Sequence, residues 1–343
     1  MPTIKEIAEI AGVSPSTVSN VINGHTNKMR PDTLAKVQKI LKQENYVSNM
    51  GGRLLAKNGS RLIVLIMTYT RREEKNAVQD PFFSELIGAL EQEIRELGYF
   101  MILYTSSSAE ESLRMVDAWN VEGIILQGCA PWDCSTYMKN THIPLVFIDT
   151  YFEEGGEKFI NIGLEDKRGG ELVAEHLIEQ GHKRIAFLLD EQYPFGVDAE
   201  RLKGFMNIMK KHEIQFSSKD DFYVFSYRKK EREAYFKEFA KTHLHKYTAL
   251  CFASDFYAAD VVNTFRDIGV DVPEQVSICG FDDNIFASTC RPMLTTVRQD
   301  VTEKAKLAVN RLMQMIRNEP IEEKDTKLPV ELVVRDSIKR MKQ

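Results

Sequence analysis

A chain of 343 residues with 43% hydrophobic and 28% charged residues has an ordinary globular composition, which excludes disordered and collagen-like classes, and its length suits two or three domains of ~100–200 residues. The net charge of −5 divides unevenly: residues 1–60 hold eight Lys/Arg against four Asp/Glu, and the remainder holds 37 against 46. No apolar run approaches the ~18 residues of a membrane span, and five cysteines (Cys129, Cys134, Cys251, Cys279, Cys290) without metal-ligand spacing suit reduced thiols in a cytoplasm rather than a disulfide framework or a metal site.

The start, MPTIKEI, lacks a basic region followed by an apolar one, so no signal peptide is expected. From Thr3 to Asn23 the chain reads as two short helices around a tight turn. Ile4, Ile7, Ala8 and Ala11 form one apolar helical face. Thr3 and Glu6 have capping-box spacing. Gly12 can close the first helix in the left-handed conformation. Ser14 suits an N-cap and Pro15 the first helical position of the second helix. Val18, Val21 and Ile22 face inward. Ser16, Asn20 and Asn23, with Thr17 and Ser19 beside them, leave a polar, short-chained, almost uncharged outer face. A solvated helix usually carries Lys and Glu there, whereas a helix entering a DNA major groove needs compact hydrogen-bonding groups.

The stretch AGVSPSTVSNVING resembles the helix-turn-helix of the lactose/galactose repressor (LacI/GalR) family, with its pattern A-G-V-S-x-x-T-V-S-x-V-L-N. The resemblance implies that Pro15, Ser16 and Asn20 read bases, while Ser14, Thr17, Ser19 and Asn23 mainly hold phosphates. The positive balance of residues 1–60 agrees with a segment that meets phosphates.

A third helix is predicted from about Pro31 to Glu44, packed through Leu34, Val37 and Leu41. Tyr46 then either covers the small core or reaches a phosphate as well. Residues 48–60, SNMGGRLLAKNGS, read as a linker by composition. In the family the equivalent stretch becomes a helix on operator DNA, and a leucine from each subunit wedges into the minor groove. By position Leu55 is that wedge, and Arg53 and Asn49 match the motif arginine and asparagine. Ser48 replaces the usual proline. Gly51-Gly52 stands where helix formers are common, each glycine costing ~1 kcal/mol of helix stability against alanine.

From Leu62 apolar runs alternate with amphipathic stretches: LIVLIM, YFMILY, VEGIILQG, IPLVFID, KRIAFLLD, YTALCFAS and VSICGFDD as strands, with helices between them such as PFFSELIGALEQEIRELG and AERLKGFMNIMKKH. Such βαβ repetition in two halves predicts two doubly wound sheets. The expected fold is therefore a small all-α helix-turn-helix headpiece plus an α/β periplasmic-binding-protein-like core of two doubly wound parallel-sheet lobes. The domains are expected at 1–47, a hinge at 48–60 and an effector-binding and dimerisation body at 61–343. The family's three crossings between lobes imply spans of approximately 62–159 plus 293–322, and 160–291 plus 325–338. No added leucine heptad suggests a tetramerisation tail.

Ligands of such folds bind beyond the carboxyl ends of strands, between the lobes. The resemblance implies an effector site with Phe82 and Phe83 packing an apolar ring face, either of which could instead be helix core. Asp282 in GFDD would accept hydrogen bonds from ligand hydroxyls, with Asp283 as the cap of the next helix. Asp255 matches a family ligand aspartate, although Ser254 replaces the usual asparagine beside it. Asp149 and Arg201 match positions near the cleft, and a structural salt bridge is the preferred role for Arg201. Glu165-Asp166 suits a helix start, and Tyr69 and Trp132 follow strands without a defined role. QYPFGVD, 192–198, carries no clear copy of the family's sugar-contacting residues, so the effector stays unnamed.

The implied protein is a cytoplasmic, homodimeric transcriptional regulator, expected to be a repressor of a palindromic operator, controlled by a small ligand for which a sugar is favoured over a purine or other metabolite. An enzyme is the competing class. The sequence has no P-loop, G-x-S-x-G elbow, post-strand G-x-G-x-x-G or H-E-x-x-H, so no catalytic residue, cofactor or metal is expected. A plain ligand-binding protein would not need the attached headpiece.

Overall fold

Thr3 starts the first helix as the sequence requires. Its backbone N–H donates to Glu6 Oε2 at 2.7 Å, and Glu6 N–H donates back to Thr3 Oγ1 at 3.3 Å. The computed structural model describes residues 2–22, 25–27, 29–46, 59–68, 77–106, 108–151 and 159–342. The expectations for Asn23, Ser48, Asn49, Gly51, Gly52, Arg53, Leu55 and Tyr69, and for the side chain of Trp132, lie outside the described residues. The chain forms two compact units, 1–61 and 62–343.

In the first unit, α1 (Ile4–Ala11) ends at Gly12, whose φ of 63° is left-handed. Then come α2 (Pro15–Ile22) and α3 (Pro31–Gln43). Ile7, Ala8, Ala11, Val18, Val37 and Ile40 are buried together, with Val13, Val21, Ile22, Leu41 and Tyr46 packed against them. Each fully buried aliphatic side chain contributes ~1.5–3 kcal/mol, so this core is small. Ile40 does the packing expected of Leu34, which is only half-buried.

The second unit holds two parallel sheets. Strands β1 (Leu62–Thr68), β2 (Phe100–Ser106), β3 (Gly123–Gln127), β4 (Leu145–Ile148), β5 (Asn161–Leu164) and β11 (Asp325–Leu328) form one, in the order β11-β5-β4-β3-β1-β2. Between them run α4 (Pro81–Glu96), α5 (Ala109–Trp119) and α6 (Pro131–Asn140). The other sheet has the order β7-β6-β8-β9, from β6 (Ile185–Leu189), β7 (Phe222–Val224), β8 (Ala249–Phe252) and β9 (Ser277–Cys279). Its helices are α7 (Asp166–Glu179), α8 (Gly196–Lys211), α9 (Lys229–Thr242), α10 (Asp255–Asp267) and the short α11 (Ile285–Thr289). Near its edge β10 (Thr296–Arg298) pairs antiparallel with β12 (Glu331–Val333). Finally α12 (Val301–Ile316) returns to cover the first sheet, burying Ala305, Ala308, Val309 and Leu312 against Ile63, Leu65 and Ile125.

Strand pairing moves the lobe limits. β5 pairs with β4 through Asn161 and Ile162, and residues 325–328 pair with β5, so both strands belong to the first sheet rather than to the second. The reason is the parallel ladder. The open edge of β4 takes up β5 before the chain turns into α7, and β5 in turn accepts β11. The first crossing to the second sheet therefore falls after Leu164.

Candidate functional site

Two surfaces carry the candidate chemistry, one in each unit. In the first, α2 presents Ser14, Pro15, Ser16 and Asn20 as exposed residues and Thr17 and Ser19 as half-exposed ones. Ser14 holds the start of α2. Its Oγ accepts from Thr17 N–H at 3.2 Å and lies 2.7 Å from Ser16 Oγ and 2.8 Å from Thr17 Oγ1. Val18 on the opposite side is fully buried. The helix thus offers a short, hydroxyl-rich, uncharged face on a stem fixed by packing. Tyr46 is half-buried against the core.

In the second unit, the carboxyl ends of the strands border a cavity of about 670 Å³, within the ~300–1,000 Å³ range of ligand pockets. It is lined by residues at or just beyond the ends of β1, β3, β4, β6, β7, β8 and β9, among them Gln127, Asp149, Asp190, Tyr227, Ser254 and Asp282. On the first-sheet side Asp80 caps α4 by accepting from Phe82 N–H at 2.9 Å. That cap sets Phe82 and Phe83 edge to face, centroids 5.2 Å apart. Both rings line the cavity and both also pack on the core, so the two readings of these phenylalanines coincide.

Beneath the rings runs a polar chain. Lys304 Nζ, fully buried, donates to both oxygens of Asp149 at 2.7 and 2.8 Å and to Gln299 Oε1 at 2.9 Å. It also lies 5.1 Å from the Phe82 ring centroid, a cation–π contact. Gln299 Nε2 donates to Asp282 Oδ1 at 2.7 Å, and Ser254 Oγ donates to Asp282 Oδ2 at 3.0 Å. Arg201 stacks 3.6 Å over Phe281, donates to Asp166 Oδ1 at 2.8 Å and to Ala253 O at 2.7 Å, and lies 3.6 Å from Asp282. Tyr151 donates to the other oxygen of Asp166. Arg201 therefore lines the cavity and forms the structural salt bridge expected of it, while Asp166 serves Arg201 rather than a ligand.

Asp149 and Asp282 have positive φ angles of 53° and 117°, conformations that cost a non-glycine residue of order 1–3 kcal/mol and cluster at functional sites. Burial pushes the Asp282 carboxyl up to about 7 against the pull of Arg201, which Asp166 already engages more closely. Burial also raises Asp149, with Lys304 opposing it.

Two expectations change. Asp255 is fully buried and does not line the cavity; it accepts from Thr296 Oγ1 at 2.7 Å. A Cβ on Gly280 would come within 2.1 Å of Asp255 Oδ1, so the glycine of GFDD leaves room for this buried carboxyl. Burial raises Asp255 well above the usual carboxylate range. Its backbone position at the start of α10 turns the side chain inward, and Ser254 takes the cavity-facing place. The cap of α11 is Asn284, which accepts from Phe286 N–H at 2.9 Å. Asp283 instead binds Arg335 and Arg298, two cations that its neighbours in the sequence do not announce.

Lys304, Gln299, Ser254 and the Arg232–Asp260 pair escaped sequence reasoning. Only Ser254 had a signal, as a departure from the family pattern. Among the described residues no group of three or more His, Cys, Asp and Glu could hold a metal ion. No helix of the described residues is long and apolar enough to cross a membrane.

A helix-turn-helix unit joined to a two-sheet cleft protein defines a DNA-binding transcriptional regulator with a ligand pocket. Residues 3–49 match bacterial regulatory proteins of the lacI family, and residues 174–338 match the periplasmic binding protein-like domain. The chain is 30% identical to the HTH-type transcriptional regulator MalR of Clostridium butyricum, over 97% of this chain and 98% of that one. It is 29% identical to the HTH-type transcriptional regulator GalR of Escherichia coli strain K12, over 98% and 96%. A Lac repressor dimer bound to operator and the anti-inducer ONPF shares the fold at a TM-score of 0.83 and 24% identity, over 98% of each chain. The chain belongs to the LacI family of bacterial transcriptional regulators.

Proposed function

We propose that this regulator acts as a cytoplasmic homodimeric repressor on a palindromic operator, and that a small hydroxyl-rich ligand in the cleft sets its DNA affinity. The observation that carries the reading is the pairing of the exposed, uncharged α2 face with a pocket that ends in a buried Asp282–Gln299–Lys304–Asp149 chain. That chain links the end of β9 in one sheet to the end of β4 in the other. A ligand engaging Asp282 and Phe82 together would favour one arrangement of the lobes over another, and its control of DNA binding is a population shift of that kind.

Residues 1–47 would be the DNA-binding domain, 48–60 the hinge and 61–343 the effector and dimerisation body. Pro15, Ser16 and Asn20 read bases; Ser14, Thr17, Ser19 and Asn23 hold phosphates; Asn49, Arg53 and Leu55 act in the minor groove. Phe82, Phe83, Asp149, Arg201 and Asp282 form the effector site. A dimer is supported by the edge strand of the first sheet, β2, which leaves Phe100 and Leu103 55% and 40% exposed, and by Trp119 at the end of α5, 56% exposed. No catalytic role is assigned to any residue of the cleft.

Titration of the purified protein on duplexes carrying single base-pair changes tests the reading roles. Asn20→Ala is expected to lose ~1–3 kcal/mol of discrimination at one position of each half-site. A uniform loss at every position would show that Asn20 holds phosphate instead.

A further inference from the structure

The cleft is wider than one ring needs. Lining residues follow all four strands of the second sheet: Tyr227 after β7, Asp190 after β6, Ser254 after β8 and Asp282 after β9. With strands ~4.8 Å apart, the two outer ends lie about 14 Å from each other. Each end has its own polar station. At the β9 end stands Asp282 with Gln299 and Ser254. At the β7 end Asp260 and Asn263, one turn apart on α10, line the same cavity. Asp260 is held in place by Arg232, whose Nε and Nη2 both reach its Oδ2 at 2.8 Å, while Nη1 donates to Tyr227 O at 2.5 Å. Between the stations Phe256 and Tyr257 border the cavity, and Tyr257 donates to Asp190.

Charge narrows the ligand further. The cavity is lined by seven carboxylate side chains and four cationic ones. Each of the four cations already has an acidic partner: Arg201 has Asp166, Arg232 has Asp260, Arg228 has Glu231 at 3.2 Å and Lys229 has Glu233 at 3.8 Å. A phosphate group entering here would meet an acid-rich wall whose two buried cations, Arg201 and Arg232, are already paired, leaving only the exposed Arg228 and Lys229 to turn towards it, and a poorly compensated charge removed from water is costly. Hydroxyl groups, by contrast, can donate to Asp282, Asp260 and Asp190 and accept from Asn263 at no cost in charge, while the aromatic residues cover apolar ring faces.

We infer that the cleft takes an uncharged, hydroxyl-rich molecule of at least two linked rings, a disaccharide or longer, with one ring at the Asp282 station and the next at the Asp260–Asn263 station. This rests on the reading of the cleft as the effector site. Thermal-shift titrations of the full-length protein with maltose, cellobiose, lactose and melibiose, beside glucose, glucose 6-phosphate and adenine, test it, because a ligand of the folded state raises the Tm by mass action. At least one disaccharide is expected to raise the Tm at concentrations where glucose, glucose 6-phosphate and adenine do not. Asn263→Ala, an exposed site whose loss should leave the unliganded Tm unchanged, is expected to weaken that disaccharide by about three- to tenfold, the worth of one hydrogen bond, and to leave any weak glucose binding as it was. A glucose shift equal to that of every disaccharide, a larger shift with glucose 6-phosphate or adenine, no disaccharide shift at all, or an Asn263→Ala protein that binds the disaccharide as the parent does would overturn the inference. None of these outcomes bears on operator recognition, which is measured separately on DNA.

Discussion

Asp282 shows how one side chain couples the cleft to solution conditions. Its carboxyl is 8% exposed and accepts from Gln299 and Ser254. Burial brings it up to about 7, from the ordinary range near 4. Between these limits the folded chain holds a proton that the unfolded chain has released, so the contribution of this group to stability falls as pH rises from about 4 to 7. His182 works in the opposite sense over part of the same window. It is fully buried, with its ring nitrogens 3.0 Å from Thr248 Oγ1 and 3.1 Å from Lys339 O, and burial lowers it to about 4. Its contribution therefore grows as pH rises from about 4 towards 6.5. Comparing Asp282→Asn with the parent cancels the histidine. Urea unfolding at pH 4.5, 6 and 7.5 is expected to show the variant gaining stability relative to the parent as pH rises. A difference that stays flat would mean that Asp282 ionises as an ordinary carboxylate. The motif GFDD made Asp282 legible in the sequence. Lys304 was not legible, because its partner Asp149 lies 155 positions away and only α12 packing on the first sheet joins them.

At the scale of elements, the α7–α8 crossing decides where Arg201 stands. A Cβ on Gly170 would lie 2.0 Å from Arg201 O, and one on Gly204 would lie 1.9 Å from Lys167 O. The two helices touch backbone to backbone at these glycines, and that approach brings Arg201 to Asp166. Overpacking commonly costs ~1–3 kcal/mol, and here the obstacle is main chain that cannot rotate away. Gly170→Ala is expected to lower stability by about 3 kcal/mol in denaturant unfolding and to weaken ligand binding through Arg201. A fully stable variant would contradict the crossing. The apolar runs of β1, β3, β6 and β8 are buried along their whole length, which is why they were legible as parallel strands. The four residues of β5 gave too short a run to read. The alternating DTKL of β11 looks like loop, because an edge strand keeps one side in solvent. Helix α9 was overlooked because KKEREAYFKEFAKT is dominated by charge, although Arg232, Phe236 and Phe239 fall at i, i+4 and i+7 and are its buried residues.

At the scale of the whole molecule, the division into headpiece and body was legible from a change of periodicity near Leu62, and the structure separates its units after Arg61. The lobe limits were less legible, since parallel pairing across the crossings depends on which sheet edge is open and no local pattern records that. The proposed recognition face is sparse: Pro15 cannot donate and Ser16 is short, so a second subunit and the hinge should supply much of the selectivity. Gly51 and Gly52 would make hinge-helix formation on DNA unfavourable by ~1 kcal/mol each against alanine. Replacing both with alanine is therefore expected to tighten operator binding by roughly tenfold or more. Unchanged or weaker binding in an anisotropy titration would place the control elsewhere.

In the proposed function two copies of the α2 face read a symmetric site under control of the cleft. Selection of bound duplexes from a random pool by the purified full-length protein tests it most directly. Enrichment of a single palindrome whose two halves straddle a step that a leucine wedge can open is expected. Recovery of no palindrome, or only a general preference for duplex that disappears with salt, would contradict it.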